Sequence, residues 1–550
     1  MNGGSGQSRK GLLVLMVVAA LLWGARYHPP ATSHFIYDGD ASQHVYWTAK
    51  YQDPELFPDD LLTRFIVSTG FDPVGYRLVY RGGATLMDPL PFSQLLTLLL
   101  LLLSLWLLDK LCRELMIDPR GRIFCGTLFL LFSLYDASGG FPRTFAFPLL
   151  LAFLVLYQKG RFRAASGCAL LPAFFYPPVI LNLLALAGWD LTARWPRQWR
   201  KRRYWVDAAC LALVVVVAGG FLFSVYGGGD ESFGVKVGYE QAREMAEFHP
   251  GGRTVFFRDG LLEYLLVAPS GIGVYRLIGF AAILGILGWI RGFRSMKFPP
   301  VAVHLLWTSL VLFTAAHLVL FRLHHPSRYT LYTLPLALIL LVGANAGPAF
   351  QKIGDFFRNL PARPPRPLAR LTLAVFVIVG AVIYTHAQGQ YFSRLDMATA
   401  EPPEVEAVAF LETLPKDALV AGHPEVMNLV PVLARRKVLA SHELSLPYYP
   451  GYYDRVRQRI LDFFRAYYAH SMEEVDAFAR RYGVDALVVR KSHFSPEFLR
   501  GRIYYEPFGT FVKKRVKEGG PFVLEDPPRE RRCFDNGEYV VLCFEKEKEK

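Results

Sequence analysis

The chain has 550 residues, 52% of them hydrophobic, with 42 Phe, 28 Tyr and a positive mean hydropathy. This composition excludes a soluble enzyme with ordinary polar surfaces. The net charge of +14 does not signal nucleic acid as a partner, because the basic residues sit in short loops between apolar runs and no nucleic-acid motif accompanies them.

The first apolar run, Gly11 to Ala25, follows a basic start and could be taken for a signal peptide. The following "WGARYHPPA" offers only a poor small-residue cleavage site, so the run reads as a retained anchor. Bilayer-length runs recur as far as Tyr384, at roughly 11–26, 92–109, 122–137, 143–158, 205–226, 272–290, 301–321, 329–347 and 370–386. Between 164 and 189 the apolar chain is broken by Pro172, Pro177 and Pro178. Read as one span, this segment strands the basic "RWPRQWRKRR" (Arg194–Arg203) on the wrong side. Read as two short helices hinged at "YPP", it returns the chain to the cytoplasm, and every basic loop then obeys the positive-inside rule. Membrane lipids with anionic headgroups are the expected partners of those loops.

The expected fold is therefore an α-helical polytopic membrane protein of the plasma (inner) membrane, with about 11 transmembrane helices in residues 1–390 and a cytoplasmic N-terminus. The long first loop (27–91), "DASGGFPR" (136–143), the glycine-rich 227–265 loop, "RLHHPSR" (322–328) and the tail are expected outside. The 227–265 loop reads as a mobile flap or a flexible connector.

Over 391–550 the pattern changes to capped helices alternating with short β-rich runs, the rhythm of a C-terminal extracytoplasmic α/β domain. Ser471 and Glu474 form a capping-box pair and Gly483 stops that helix. "ALVVR" reads as a buried strand, and "PFVLED" and "EYVVLCF" as closing strands. Cys112, Cys125, Cys168 and Cys210 lack metal-ligand spacing and read as packing residues. Cys533 and Cys543 are open between a disulfide and buried thiols.

Titratable chemistry concentrates in "FIYDGDASQHVYWTAKYQDPELFPDDL" (Phe35–Leu61). Asp40, Gln43, His44 and Trp47 have the i, i+3, i+4, i+7 spacing of one helix face. A carboxylate and an imidazole one turn apart, beside an aromatic, suit a general base and a sugar platform. Asp38 is a second candidate base. Asp40 fits equally well as an N-cap with Gln43 as its capping-box partner. The carboxylates of "DPELFPDD" (53–60) could hold a divalent cation or be ordinary solvated turn residues, and no metal site is assigned. Cations lie on other outer loops: Arg143 after "GGFP", then Arg322, His324, His325 and Arg328 beside Tyr329. They suit a lipid-linked phosphate at headgroup depth, or they simply anchor helix ends.

The order of a first span, an outer loop opening on an aspartate-bearing helix, many further spans and an outer α/β tail resembles the GT-C membrane glycosyltransferases. That superfamily includes oligosaccharyltransferases, protein O-mannosyltransferases and lipid A aminoarabinose transferases. The residues that carry the resemblance are "YDGDASQHVYW", "GGFPRTFAFPL" and "HHPSRYTLYTLPL". It implies a polyprenyl-phosphate sugar donor, a glycan, lipid or protein acceptor, and Asp40 or Asp38 as base or metal ligand. The chain departs from the usual Asp-Glu pair, having Asp40-Ala41, and lacks a WWD-type tail motif, which argues against asparagine glycosylation. Two readings from other classes are a transporter or flippase of lipid-linked saccharides, suggested by the broken helix, and a non-enzymatic assembly protein with a periplasmic binding module.

Overall fold

The computed structural model describes residues 3–27, 35–226, 233–267, 269–321, 325–358 and 397–544. They group into two compact units, each discontinuous in sequence. One comprises Met1–His28, Gln94–Phe223 and Gly260–Leu395, and the other Pro29–Ser93, Ser224–Asp259 and Asp396–Lys550. The first loop and the 224–259 segment thus group with the tail, whereas a cut near residue 390 would have separated them from it.

The first unit is helical. Among the described residues, five helices are long and apolar enough to cross a membrane: Lys10–Tyr27, Pro89–Glu114, Arg202–Val225, Pro300–Leu318 and Pro326–Phe356. Shorter apolar helices run over Pro142–Gln158, Phe162–Phe175 and Leu277–Arg291. This is a polytopic membrane protein. The span expected at 370–386 lies outside the described residues. The helix Pro119–Ser133 starts three residues before the apolar run expected at 122, because Asp118 caps it by accepting from Arg120 N and Gly121 N, with Pro119 in its first turn. Small residues bring it against the helix Thr333–Arg358. A Cβ on Gly343 would collide with Cys125 Sγ, and one on Gly347 with the Asp118 carboxylate. Close approach through small residues is how helices associate where the surrounding lipid is as apolar as the side chains.

The proline-broken segment folds as helices Phe162–Cys168 and Pro172–Phe175, a kink at Tyr176 (φ −153°, ψ 82°), then a helix Pro178–Gln198. The second limb is longer than expected: it carries Arg194 and Pro196 within the helix, so only the end of the basic run forms a turn. Arg163 Nε lies 3.0 Å from Asp207 Oδ1 and Arg194 Nη1 3.1 Å from Asp207 Oδ2. One buried carboxylate at the start of Arg202–Tyr226 thus holds the beginning of the first limb and the end of the second.

The second unit contains two sheets. Strand β1 (Phe35–Asp38) pairs antiparallel with β2 (Met397–Ala400), Asp38 opposite Met397. The larger sheet is built from β3 (Leu419–Ala421), β4 (Lys437–Val438), β5 (Ala486–Arg490), β6 (Arg532–Asp535) and β7 (Tyr539–Cys543) in the order β4-β3-β5-β7-β6. The first three strands are parallel and the last two antiparallel. Alternation of buried positions is absent from β5 and β7, whose residues are almost all buried, as in strands covered on both faces. Ser471 Oγ accepts from Glu474 N and Gly483 (φ 65°) ends the helix Met472–Tyr482. Only half of the capping box forms, because the Glu474 carboxylate pairs with Arg515 at 2.8 Å. "PFVLED" is not a strand. Pro527 and Pro528 follow it, Arg532 bonds back to Pro527 O and Asp526, and the closing strand is β6 instead. Cys533 and Cys543 form a disulfide across β6 and β7.

Candidate active site

In the second unit, the predicted acidic helix is only Ala41–His44, followed by a 3-10 turn over Tyr46–Tyr51. Asp40 sits at the N-cap position but in αR geometry, and its side chain makes no cap hydrogen bond. The capping alternative for Asp40 is therefore wrong, and Gln43 reaches Glu443 O at 3.0 Å instead of closing a box. Asp38, on β1, is buried.

His44 and Trp47 do converge, but on a residue with no sequence signal. Asp72 accepts from His44 Nδ1 at 2.6 Å and from Trp47 Nε1 at 2.7 Å, and its carboxylate has no exposure. Because a carboxylate only accepts, Nδ1 carries a ring proton, and in the neutral form of the ring Nε2 is left as the acceptor. Phe71 stacks on the ring at 5.3 Å, and Tyr76 Oη donates to His44 O at 2.9 Å. Arg77 donates to Asp72 O at 2.8 Å and lies over the Trp47 ring. These ties come from residues 71–77, where "FDP" precedes the helix Val74–Gly83.

Three of the four 53–60 carboxylates are spent on structure. Lys416 Nζ lies 2.7 Å from Asp53 and 3.1 Å from Glu55, while Asp60 caps Leu61–Ser68 by accepting from Thr63 N. Among the described residues, no group of three or more His, Cys, Asp or Glu is placed to hold a metal ion.

In the first unit, the turns that carry Arg143 and Arg328 lead into helices that pack on one another at Tyr332. Tyr332 is fully buried, with its ring against Phe147 at 5.2 Å and Tyr176 at 5.5 Å. Its hydroxyl makes no hydrogen bond within the described residues. Arg143 is positioned by the 3-10 turn Pro142–Phe145. Thr144 Oγ1 accepts there from Phe141 N and donates to Ser138 O, and the guanidinium lies 5.0 Å over Phe141. The preceding Gly139 needs to be glycine: its φ is +100° and a Cβ would strike the Phe141 ring. Arg328 sits on a second 3-10 turn, Pro326–Tyr329, whose last carbonyl accepts from Asn182 Nδ2 and Thr333 Oγ1. His325 and Tyr329 are buried on that turn. Arg322 and His324 lie outside the described residues. Asp136, Tyr176 and Tyr332 were missed because each lies in or beside an apolar run, where a lone polar residue reads as packing.

Sequence reasoning also missed a buried imidazole cluster in the tail. The His423 ring lies 4.7 Å from His493 and 5.4 Å from Tyr504, and His442 Nδ1 lies 3.3 Å from Tyr504 Oη. Burial pushes His423 down to about 4 and holds His442 and His493 well below the usual imidazole range. The 233–259 segment packs on this part of the chain: Arg253 pairs with Glu443 at 2.9 Å, and Tyr453 Oη donates to Glu247 at 3.0 Å. These described residues are anchored, unlike those of a free flap.

The fold has counterparts among solved membrane glycosyltransferases. It matches the crystal structure of the Archaeoglobus fulgidus oligosaccharyltransferase in its apo form with a TM-score of 0.52 and 12% identity, covering 92% of this chain and 72% of that one. A cryo-EM structure of a variant of the mycobacterial arabinofuranosyltransferase AftD matches with a TM-score of 0.50 and 18% identity, over 88% of this chain and 37% of that one. ArnT from Cupriavidus metallidurans, solved bound to undecaprenyl phosphate, matches with a TM-score of 0.49 and 13% identity, over 96% and 97%. No protein-family model matches the sequence, and a comparison with curated proteins finds no match. The likeness to the first two establishes a fold shared with these membrane glycosyltransferases.

Proposed function

We propose that this protein is a membrane glycosyltransferase that moves a sugar from a polyprenyl-phosphate donor to a hydroxyl of an extracytoplasmic glycan, lipid or protein. The observation that carries the reading is the buried Tyr332 hydroxyl, without a hydrogen bond among the described residues, with Arg328 four residues before it and Arg143 four residues before Phe147, whose ring packs on it. Two guanidinium forks and a hydroxyl donor suit the phosphate of a lipid lying at headgroup depth. The acceptor oxygen attacks the anomeric carbon while Asp40 takes its proton, with Asp38 as the alternative base. The bond from that carbon to the phosphate oxygen breaks, and the two arginines neutralise the charge that develops on the leaving phosphate. His44, held by Asp72, and Trp47 line the same first-loop wall as Asp40. No step is routed through a metal.

The reading is tested with the purified full chain in nanodiscs, offered a panel of polyprenyl-phosphate sugars and scored for release of the polyprenyl phosphate. Release with at least one donor, abolished in a folded Arg143→Ala/Arg328→Ala double variant, is expected. No release from any donor, together with no retention of polyprenyl phosphate by native mass spectrometry, would overturn it.

A further inference from the structure

The second unit carries an open cavity of about 250 Å³ that no step of the proposed transfer uses. Residues 241–247 form one wall and the start of the helix Pro450–Tyr467 the other. The first wall is fixed from behind: Glu247 O accepts from Thr254 N at 2.9 Å, and a Cβ on Gly252 would collide with the carbonyl oxygens of Ala246 and Glu247. Tyr453, Asp454 and Arg457 border the space from the helix, and Met245 and Pro450 add apolar surface. One water needs roughly 10–15 Å³ of such space, so the cavity has room for a small molecule.

The chemistry of its occupant follows from Glu247, which borders the cavity although it is only 2% exposed. Oε1 takes both of its contacts, from Tyr453 Oη at 3.0 Å and Arg457 Nε at 3.4 Å. Tyr453 has no second proton to give, so at 3.2 Å it accepts from Tyr505 Oη. Oε2 makes no hydrogen bond or ion pair among the described residues. A carboxylate oxygen taken from water and left without a donor is costly, and a donor placed in the cavity supplies what it lacks. Glu244 and Asp454 stand exposed at the rim, and neither side chain makes a hydrogen bond or ion pair among the described residues. Three carboxylates thus meet one guanidinium, in a chain whose net charge is +14. The described acids are not grouped to hold a metal ion. An organic ammonium suits them better: it offers three donors for charge-assisted bonds, while its carbon skeleton lies on Met245 and Pro450.

We propose that this cavity binds a primary-amine ligand, with an ammonium group on Glu247 Oε2 and further positive charge toward Glu244 and Asp454. Two sources carry that chemistry, a free polyamine and an amino sugar of a glycan. Binding here stands whether or not the chain transfers sugar, because none of the three carboxylates takes part in the proposed proton transfer.

The test is calorimetric titration of the full chain in nanodiscs of phosphatidylcholine, a lipid without net charge to gather amines. The probes are spermidine, a glucosamine trimer and the same trimer N-acetylated, which keeps the sugar rings and loses the charge. Saturable one-to-one binding of spermidine or of the glucosamine trimer is expected, with none of the acetylated trimer. Glu247→Gln should weaken it about tenfold or more, the scale of one charge-assisted bond. If that variant melts early through loss of its Tyr453 contact, the double variant Glu244→Gln/Asp454→Asn, at exposed positions, replaces it and should weaken binding several-fold. Binding of spermidine alone identifies a free polyamine as the source, and binding of the glucosamine trimer an amino sugar. No saturable binding of either amine, equal binding of the acetylated trimer, or an affinity unchanged by the substitutions overturns the proposal.

Discussion

Replacing Asp72 by asparagine is the sharpest perturbation of the first-loop wall, because it keeps the shape of a buried side chain and removes its charge. Asp72 accepts from two donors, His44 Nδ1 and Trp47 Nε1. The indole can only donate, so it keeps the single amide oxygen of the asparagine. The amide nitrogen then faces His44 Nδ1, which must give up its proton to accept, and the ring proton moves to Nε2. Two charge-assisted bonds become neutral ones, a loss of about 1–3 kcal/mol in total. Asp72→Ala instead strands two donors, at roughly 1–3 kcal/mol each, a sizeable part of the ~5–15 kcal/mol that keeps a domain folded. The asparagine variant should therefore fold and melt only slightly earlier, while its His44 presents a donor where the wild type presents an acceptor. If that nitrogen takes part in moving the acceptor proton, turnover falls by about 10²–10⁴-fold, the scale of lost acid–base assistance. Polyprenyl-phosphate release and the thermal melt are measured on the same nanodisc sample. Wild-type turnover in Asp72→Asn, or a loss no larger than the loss of folded protein, would show the network to be scaffolding and refute a part for His44 in proton transfer.

Asp40→Asn should cut transfer by roughly a hundredfold or more with little loss of folded protein, since no capping bond is at stake, and Asp38→Asn should be milder; wild-type activity in both variants argues against either as base. Arg328→Lys should raise the donor KM or lower kcat, because a point charge cannot reproduce a fork on phosphate, and unchanged kinetics would reduce the residue to a helix anchor. A cysteine at Gln198 should resist labelling from outside while one at His470 labels, and strong labelling at 198 removes the hairpin topology. The tail should lose stability in acid. Buried neutral His423 sits at about 4, so the unfolded chain takes up its proton first, and roughly 3 kcal/mol is lost as pH falls from about 6.5 toward 4. Glu404, pushed up to about 7, opposes part of this, and His423→Gln should flatten the fall in melting temperature between pH 7.5 and 5.

Features set by neighbours in the chain were legible in the sequence. The break at Tyr176 follows from Pro177 and Pro178, the stop at Gly483 from its left-handed φ, and the burial of β5 from its apolar run. Contacts across the fold were not. Asp72 is 28 residues from His44, and only the folded chain shows that the imidazole and the indole share it. "PFVLED" has strand composition, yet two prolines and the side-chain bonds of Arg532 make its continuation a turn. Tyr332 differs from an ordinary packing aromatic only by a buried hydroxyl without a hydrogen-bond partner among the described residues.

The grouping of the first loop with the tail changes what the tail is for. A four-residue ladder such as β1–β2 is too short to hold its own register, and a slip of one residue would exchange the faces of Tyr37 and Asp38. The register is held instead by contacts that flank it. Gln43 bonds to Glu443 O, Lys416 pairs with Asp53 and Glu55, and Arg435 pairs with Asp88 at 3.0 Å. The surface pairs are individually weak. Apolar stacking supplies more: Phe65 lies 3.8 Å from Tyr452, with Tyr449 and Phe233 around it. Asp38, Asp40 and the His44–Trp47–Asp72 network therefore owe their positions to residues 397–544 as much as to their own loop. A tail of this kind is part of the wall that carries the candidate base, and a substitution in it can change activity without touching a substrate.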